Sequence, residues 1–105
     1  MASGGGSVRG RLPDVQYNKI QRIFVFLIDE IKHDPMRVVN SLFQKDAFNE
    51  DDMEKVEKAE KDSKRAAAKK ILTIILGCGH TGYDKFIDAL YDNQYYKAVF
   101  ELEPG

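Results

Sequence analysis

Apolar residues recur at helical spacing along most of the chain, and signals that start or end helices interrupt them at short intervals. No segment alternates apolar and polar residues as a half-buried strand does, and no internal repeat is found. The sequence therefore predicts a series of short α-helices. Because such helices are stable only when their apolar faces are covered, these faces are expected to share one core.

The first predicted helix is the most apolar, and it extends from Asp14 to His33. Asp14 follows Pro13 and is its predicted N-cap, because an Asp side chain can accept a hydrogen bond from the free backbone N–H groups of the first turn. The inward positions follow one another at steps of four, three and four residues: Ile20, Phe24, Leu27 and Ile31.

Local capping signals predict the next two helices. Asp34-Pro35 starts the second helix, since Asp is a good N-cap and Pro suits the first helical position, and this helix should end near Lys45. Its apolar stripe contains Val38, Val39, Leu42 and Phe43. The third helix starts at Asn49, with Asp52 placed as in a capping box, and it should be short and largely exposed.

Three further helices complete the prediction. The fourth follows Asp62-Ser63 and ends at Leu76. The fifth starts near Thr81, and the sixth starts near Asn93 and ends by Pro104. Their predicted inward residues are Ala67, Ile71, Ile74, Ile75, Tyr83, Phe86, Ile87, Leu90, Tyr96, Val99 and Phe100. Six short helices with tight connections imply an all-α fold, a six-helix antiparallel bundle.

The chain has 105 residues, which is enough for one domain and too few for two. Residues 1–13 are predicted to be a flexible lead or an added linker, because the run Gly4–Gly6 has neither a strand before it nor a helix after it. Residues 14–104 are predicted to form the folded domain. A single cysteine, Cys78, allows no disulfide within the chain and favours a reducing compartment. No apolar run is long enough to span a membrane, and the first residues lack the apolar stretch of a signal peptide.

No catalytic motif is found, so the chain is predicted not to be an enzyme and to need no cofactor. No metal site is predicted either. Cys78 and His80 are the only candidates for one, but a structural zinc ion needs four ligands and the only other histidine is His33. A turn between two helices is the better interpretation of this segment.

The charges are nearly balanced, with a net charge of −1, but they are unevenly distributed. Five acidic residues and no basic residue occur between positions 46 and 54: Asp46, Glu50, Asp51, Asp52 and Glu54. Five basic residues follow between positions 61 and 70: Lys61, Lys64, Arg65, Lys69 and Lys70. One interpretation is an ordinary soluble surface. The other is a molecule with an acidic and a basic face, which can stack head to tail into rings or filaments.

A function of another class is also compatible with the basic fourth helix, namely that of a small helical nucleic-acid-binding domain. The near-neutral net charge and the acidic segment beside this helix count against it. Affinity that falls steeply with salt would distinguish such a domain.

The last third of the chain resembles a known family. The segment Gly79-His80-Thr81-Gly82-Tyr83-Asp84-Lys85-Phe86, continued by Ala89-Leu90, is similar to the corresponding segment of caspase recruitment domains (CARDs) in coiled-coil scaffold proteins. Phe48-Asn49-Glu50-Asp51-Asp52 resembles the family's entry to its third helix. The resemblance covers roughly residues 14–104, and CARDs belong to the death-fold superfamily.

The resemblance implies a module that binds other CARD-containing proteins and has no catalytic activity. Its partners would be copies of itself, caspases, kinases or scaffold proteins in apoptosis, inflammasome assembly or NF-κB signalling in the cytoplasm, with assembly into homo-oligomers or filaments. It also implies a bent or broken first helix, with the bend between Ile23 and Ile28. A basic residue of the first helix, Lys19 or Arg22, would join Lys64, Arg65 and Lys69 on the basic face.

Overall fold

The structure is a computed structural model that describes residues 12–104, except for the side chain of His80. All regular structure in this range is α-helical. The seven helices are α1 (Asp14–Arg22), α2 (Phe24–Ile31), α3 (Pro35–Gln44), α4 (Glu50–Asp62), α5 (Lys64–Leu76), α6 (Gly79–Asp92) and α7 (Tyr96–Leu102).

The structure has one helix more than the six that the sequence predicted, because the segment predicted as one first helix divides at Ile23. The backbone of Ile23 leaves helical geometry, with φ −115° and ψ 27°. The Leu27 N–H donates to the Ile23 carbonyl at 2.9 Å, so α2 begins without an intervening loop. Neither glycine nor proline is present at this point, and the sequence therefore contained no local signal for a division.

Three of the predicted helix starts are confirmed by side-chain hydrogen bonds. The Asp34 carboxylate accepts from the Arg37 N–H at 3.4 Å. Asn49 and Asp52 form the reciprocal capping box, with distances of 2.8 and 3.1 Å. The Ser63 hydroxyl accepts a hydrogen bond from the N–H of Ala66, the third residue of α5. The prediction of Asp14 as an N-cap is wrong, because Pro13 occupies that position and Asp14 lies in the first turn.

The capping box predicts a measurable cost for Asn49→Ala. This substitution leaves the N–H of Asp52 without its side-chain acceptor at the start of α4, which should lower the free energy of unfolding by about 1 kcal/mol. In a chain of this size that corresponds to roughly 4–8 °C in thermal unfolding followed by circular dichroism. Asn40→Ala is the matched control, since Asn40 is exposed inside α3 and should be tolerated. Equal losses in both variants would contradict the role of the cap.

Helix α5 lies at the centre of the bundle, because it packs against α2, α3, α4 and α6. Its inward face is completely buried and comprises Ala67, Ala68, Ile71, Leu72 and Ile75. The neighbouring helices contribute the larger core side chains, including Leu27, Leu42, Phe86 and Leu90. Helix α4 is 13 residues long, which is longer than predicted, but it is largely exposed as expected, with Val56 its only buried residue.

The beginning of the described chain is fixed to the end of α5. The Leu12 N–H donates to the Leu76 carbonyl at 3.2 Å, and the Leu12 side chain is buried although the sequence placed this residue in the lead. Helix α2 packs on α5, and Asp29 of α2 meets Arg65 in the first turn of α5. The bundle therefore brings both ends of α5 into contact with the first third of the chain.

The last two helices differ from the prediction at their starts and on one face. Helix α6 begins at Gly79 rather than near Thr81, and α7 begins at Tyr96 rather than near Asn93. Ala98 and Leu102 fill the core position of α7, whereas Phe100, predicted to point inward, is 67% exposed and Tyr96 is 49% exposed. Apolar residues at helical spacing lie on two faces of α7, and the face with Ala98 and Leu102 packs inward.

Within residues 12–104, no helix is both long enough and apolar enough to cross a bilayer.

Candidate interaction surfaces

The five acidic residues singled out by their sequence all lie at the junction of α3 and α4. Asp46 follows α3 with a positive φ of 63°, and the others lie in the first two turns of α4. Asp52 is held in the capping box, and Asp51 forms an ion pair with Lys55 at 3.3 Å. The remaining three, Asp46, Glu50 and Glu54, are exposed and make no ion pair within the described residues. We call the five residues together the acidic face: Asp46, Glu50, Asp51, Asp52 and Glu54.

A shallow cleft of about 270 Å³ lies beside Glu50 and Glu54 of the acidic face. Phe43 and Met53 line it together with Glu50, Glu54 and Glu57. Phe43 was predicted to point into the core, but it is 38% exposed here because Leu42 takes the inward position. Glu57 was missed, although its spacing of three residues from Glu54 and seven from Glu50 places all three on one side of α4. The cleft offers carboxylates around an apolar floor, which suits the long side chain of a lysine or arginine.

Three of the predicted basic residues lie on α5, and all three are exposed: Lys64, Arg65 and Lys69. Lys64 and Arg65 occupy the first turn, where the positive end of the helix dipole disfavours cations, and this turn contains no acidic residue. Lys64 and Lys69 make no ion pair within residues 12–104.

Arg65 differs from its neighbours because it is already paired. Its Nη1 atom lies 3.2 Å from Oδ1 of Asp29 in α2, and Lys32 Nζ lies 3.4 Å from the same oxygen. The sequence did not indicate this contact, since 36 residues separate the two partners and only the packing of α2 on α5 brings them together.

The basic residues predicted on the first helix lie on α1. Arg22 is its exposed last residue. Lys19 Nζ lies 3.2 Å from Oε2 of Glu103, which follows α7. The hydroxyl of the buried Tyr83 donates to the same carboxylate oxygen, and this hydrogen bond, with Lys19, lowers the pKa of Glu103. Lys19 therefore ties α1 to the end of α7.

The acidic residues lie at one end of the α4–α5 hairpin, and Lys64 and Arg65 lie at the other end. The two helices pack along each other and are joined by a single residue, Ser63, so they run antiparallel. The acidic residues occupy the first turns of α4, and Lys64 and Arg65 occupy the first turn of α5. A helix of 13 residues is about 20 Å long, so most of this length separates Lys64 and Arg65 from the acidic residues, whereas Lys69 lies near the middle of α5.

The family model of the caspase recruitment domain matches residues 18–103, which is most of the chain. The chain belongs to this family. Neither a curated protein nor a solved structure matches it. CARDs are interaction modules of signalling proteins that bind other CARDs, and they are not enzymes.

The two metal candidates of this CARD lie where α5 meets α6, with Cys78 in the turn and His80 as the second residue of α6. Cys78 is half-buried, and burial, followed by the nearby charge of Asp52, raises the pKa of its thiol. A protonated thiol is a poor metal ligand, since the thiolate is the binding form. The side chain of His80 lies outside what the structure describes. Among the described residues no three possible ligands cluster as a metal site would require.

Aromatic side chains line a second exposed cleft of the CARD, between α6 and α7. Its volume is about 300 Å³, and it is lined by Tyr91, Tyr96, Val99, Phe100 and Glu103. The rings of Tyr91 and Tyr96 meet edge to face, with their centroids 5.2 Å apart. Sequence reasoning did not identify this surface because it assigned Tyr96 and Phe100 to the core. No charged side chain other than Glu103 lines the cleft.

Proposed function

We propose that this CARD assembles head to tail, with the acidic face of one copy against the basic face of the next. The basic face consists of Lys64, Arg65 and Lys69 on α5, with Arg22 and Lys19 of α1 as predicted contributors. The observation that supports this proposal is that the acidic residues lie at one end of the α4–α5 hairpin and that Lys64 and Arg65 lie at the other end. A contact between two different patches does not close on itself, so it produces rings or helical filaments rather than simple dimers.

The same faces would serve for contacts with other CARDs. A partner with an acidic face would dock on α5, and one with a basic face would dock on the start of α4. Caspases, kinases or scaffold proteins that carry a CARD are the proposed partners, in cytoplasmic complexes of apoptosis, inflammasome assembly or NF-κB signalling. The nucleic-acid alternative has no support from the structure, because the mainly acidic α4 packs beside the basic α5.

The degree of assembly should fall as salt is added. Charges on exposed faces attract over a Debye length of about 10 Å at 0.1 M salt and about 3 Å at 1 M, so the attraction between copies is screened as ionic strength rises. Light scattering coupled to size-exclusion chromatography, across protein concentration at roughly 0.05 to 1 M salt, measures this. High-mass species that dissolve as salt rises are the expected result.

Two other outcomes would count against the proposal. A monomer at all concentrations and salt levels would show that the two faces do not bring copies of the wild-type protein together. Assembly that strengthens with salt would indicate an apolar contact, and the aromatic cleft between α6 and α7 would then be the better candidate.

A further inference from the structure

The ion pair between Asp29 and Arg65 lies within the surface that the proposed function assigns to a partner. Oδ1 of Asp29 is 3.2 Å from Arg65 Nη1 and 3.4 Å from Lys32 Nζ. One carboxylate of α2 is thus shared by two cations, and one of them belongs to the basic face. In the free molecule, an acidic side chain of the protein itself occupies a position where a partner's acidic side chain would bind.

The exposure of this pair allows a partner to displace Asp29. The side chains of Arg65 and Asp29 are 54% and 50% exposed. An exposed ion pair of this kind contributes roughly 0–1 kcal/mol, so it can open without affecting the fold. A buried pair would instead cost several kcal/mol to break and would not respond to a partner.

We propose that Asp29 is a built-in competitor for Arg65, which a partner must displace to use the basic face. The inference rests on the proposed function and adds a regulatory contact to it. An arginine binds a carboxylate most strongly through two parallel N–H groups. Because Asp29 already contacts Nη1 of Arg65, a partner's carboxylate cannot form this two-bond contact at that end of the guanidinium until Asp29 moves away. Asp29 also cancels part of the positive charge that attracts an acidic partner.

Competition from Asp29 disfavours a partner with a single carboxylate more than a partner with several carboxylates. A partner that presents one carboxylate exchanges one ion pair for another and gains little. A partner with carboxylates in neighbouring turns also reaches Lys69, which lies one helical turn from Arg65 and makes no ion pair within the described part of the chain. The acidic face of this CARD is such a surface, since Glu50 and Glu54 lie one helical turn apart.

The test is the substitution Asp29→Asn, which keeps the size of the side chain and removes its charge. We expect the protein concentration at which high-mass species appear in light scattering to fall about two- to fivefold at low salt, because an exposed pair of up to about 1 kcal/mol no longer competes. Glu30→Gln is the matched control. Glu30 is the next residue of α2, its loss changes the net charge equally, and it has no ion pair within the described residues. This variant should leave the threshold nearly unchanged.

Arg65→Ala completes a double-mutant cycle. In the Arg65→Ala background, Asp29→Asn should no longer lower the concentration at which high-mass species appear, because the guanidinium for which Asp29 competes is absent. The inference is overturned if Asp29→Asn has no effect on a protein that assembles, if its effect persists without Arg65, or if Glu30→Gln has the same effect. Circular dichroism verifies that each variant is folded.

The same series separates this inference from the proposed function. If neither the wild type nor Asp29→Asn assembles at any concentration, both are wrong. If the wild type assembles in a salt-sensitive way and Asp29→Asn leaves its threshold unchanged, only the competitor is wrong. Assembly that requires Asp29→Asn would support the competitor directly.

Discussion

A CARD with both Glu50→Lys and Glu54→Lys should not assemble, and it should assemble again when mixed with a CARD that carries Arg65→Glu and Lys69→Glu. The first variant has two basic faces and the second has two acidic faces. Copies of either variant repel one another at the contact. In the mixture, every contact again joins an acidic face to a basic face, so the two variants should alternate.

The expected effect is large because each substitution replaces attraction by repulsion. Exposed ion pairs contribute roughly 0.2–1 kcal/mol each, and like charges cost similar amounts, so two reversals weaken a contact by about 1–4 kcal/mol. Since 1.4 kcal/mol changes an association constant tenfold, the threshold concentration of each variant alone should rise about tenfold or more. Light scattering of each variant and of the equimolar mixture, at low salt, measures this.

The choice of positions keeps the fold intact. Glu50, Glu54 and Lys69 are exposed and make no ion pair in the described part of the chain, and the capping residues Asn49 and Asp52 are left unchanged. A cation at Glu50, in the first turn of α4, costs roughly 0.3–1 kcal/mol through the helix dipole, which thermal unfolding will show. Asp88→Lys is the control, because Asp88 is exposed on α6, outside both faces. Assembly of each variant alone, or a mixture that stays monomeric, would contradict head-to-tail contacts.

Features that depend on neighbouring residues were predictable from the sequence. The capping box of α4 and the N-caps of α3 and α5 follow from residues within three positions of each other, and the structure contains all three. The acidic face was predictable for the same reason, since its members lie within one run of nine positions and adjoin one helix start. Local chemistry was sufficient to locate both clusters of charge.

Features that depend on packing were not predictable. The pair of Asp29 and Arg65 exists because α2 lies on α5, and no local pattern indicates which exposed charges meet across two helices. The link of Lys19 to Glu103 spans 84 positions. In α7 the sequence pattern predicted Tyr96, Val99 and Phe100 as inward residues, but Tyr96 and Phe100 are exposed. In the structure, Ala98 and Leu102 are the buried residues of α7 instead.

Gly82 is a position where local and tertiary effects oppose each other. Gly82 lies inside α6, where alanine would be favoured by roughly 1 kcal/mol for helix propensity alone. A Cβ atom added at Gly82, however, would lie 2.3 Å from Cβ of Cys78 and 3.4 Å from its sulfur. Carbon atoms in contact normally lie about 3.5–4.0 Å apart, and both Cβ atoms are attached directly to the backbone. Rotation of a side chain cannot relieve the clash, so the first turn of α6 would have to move.

Gly82→Ala is therefore expected to destabilise this CARD by about 1–3 kcal/mol, the usual cost of overpacking, despite its better helix propensity. Chemical denaturation followed by circular dichroism gives the free energy of unfolding. The matched backgrounds are Cys78→Ala and Cys78→Gly. Alanine retains the Cβ atom and should leave the cost of Gly82→Ala nearly unchanged, whereas glycine removes it and should let the helix-propensity gain appear. If the cost is the same in all three backgrounds, the contact between these two residues is not its cause.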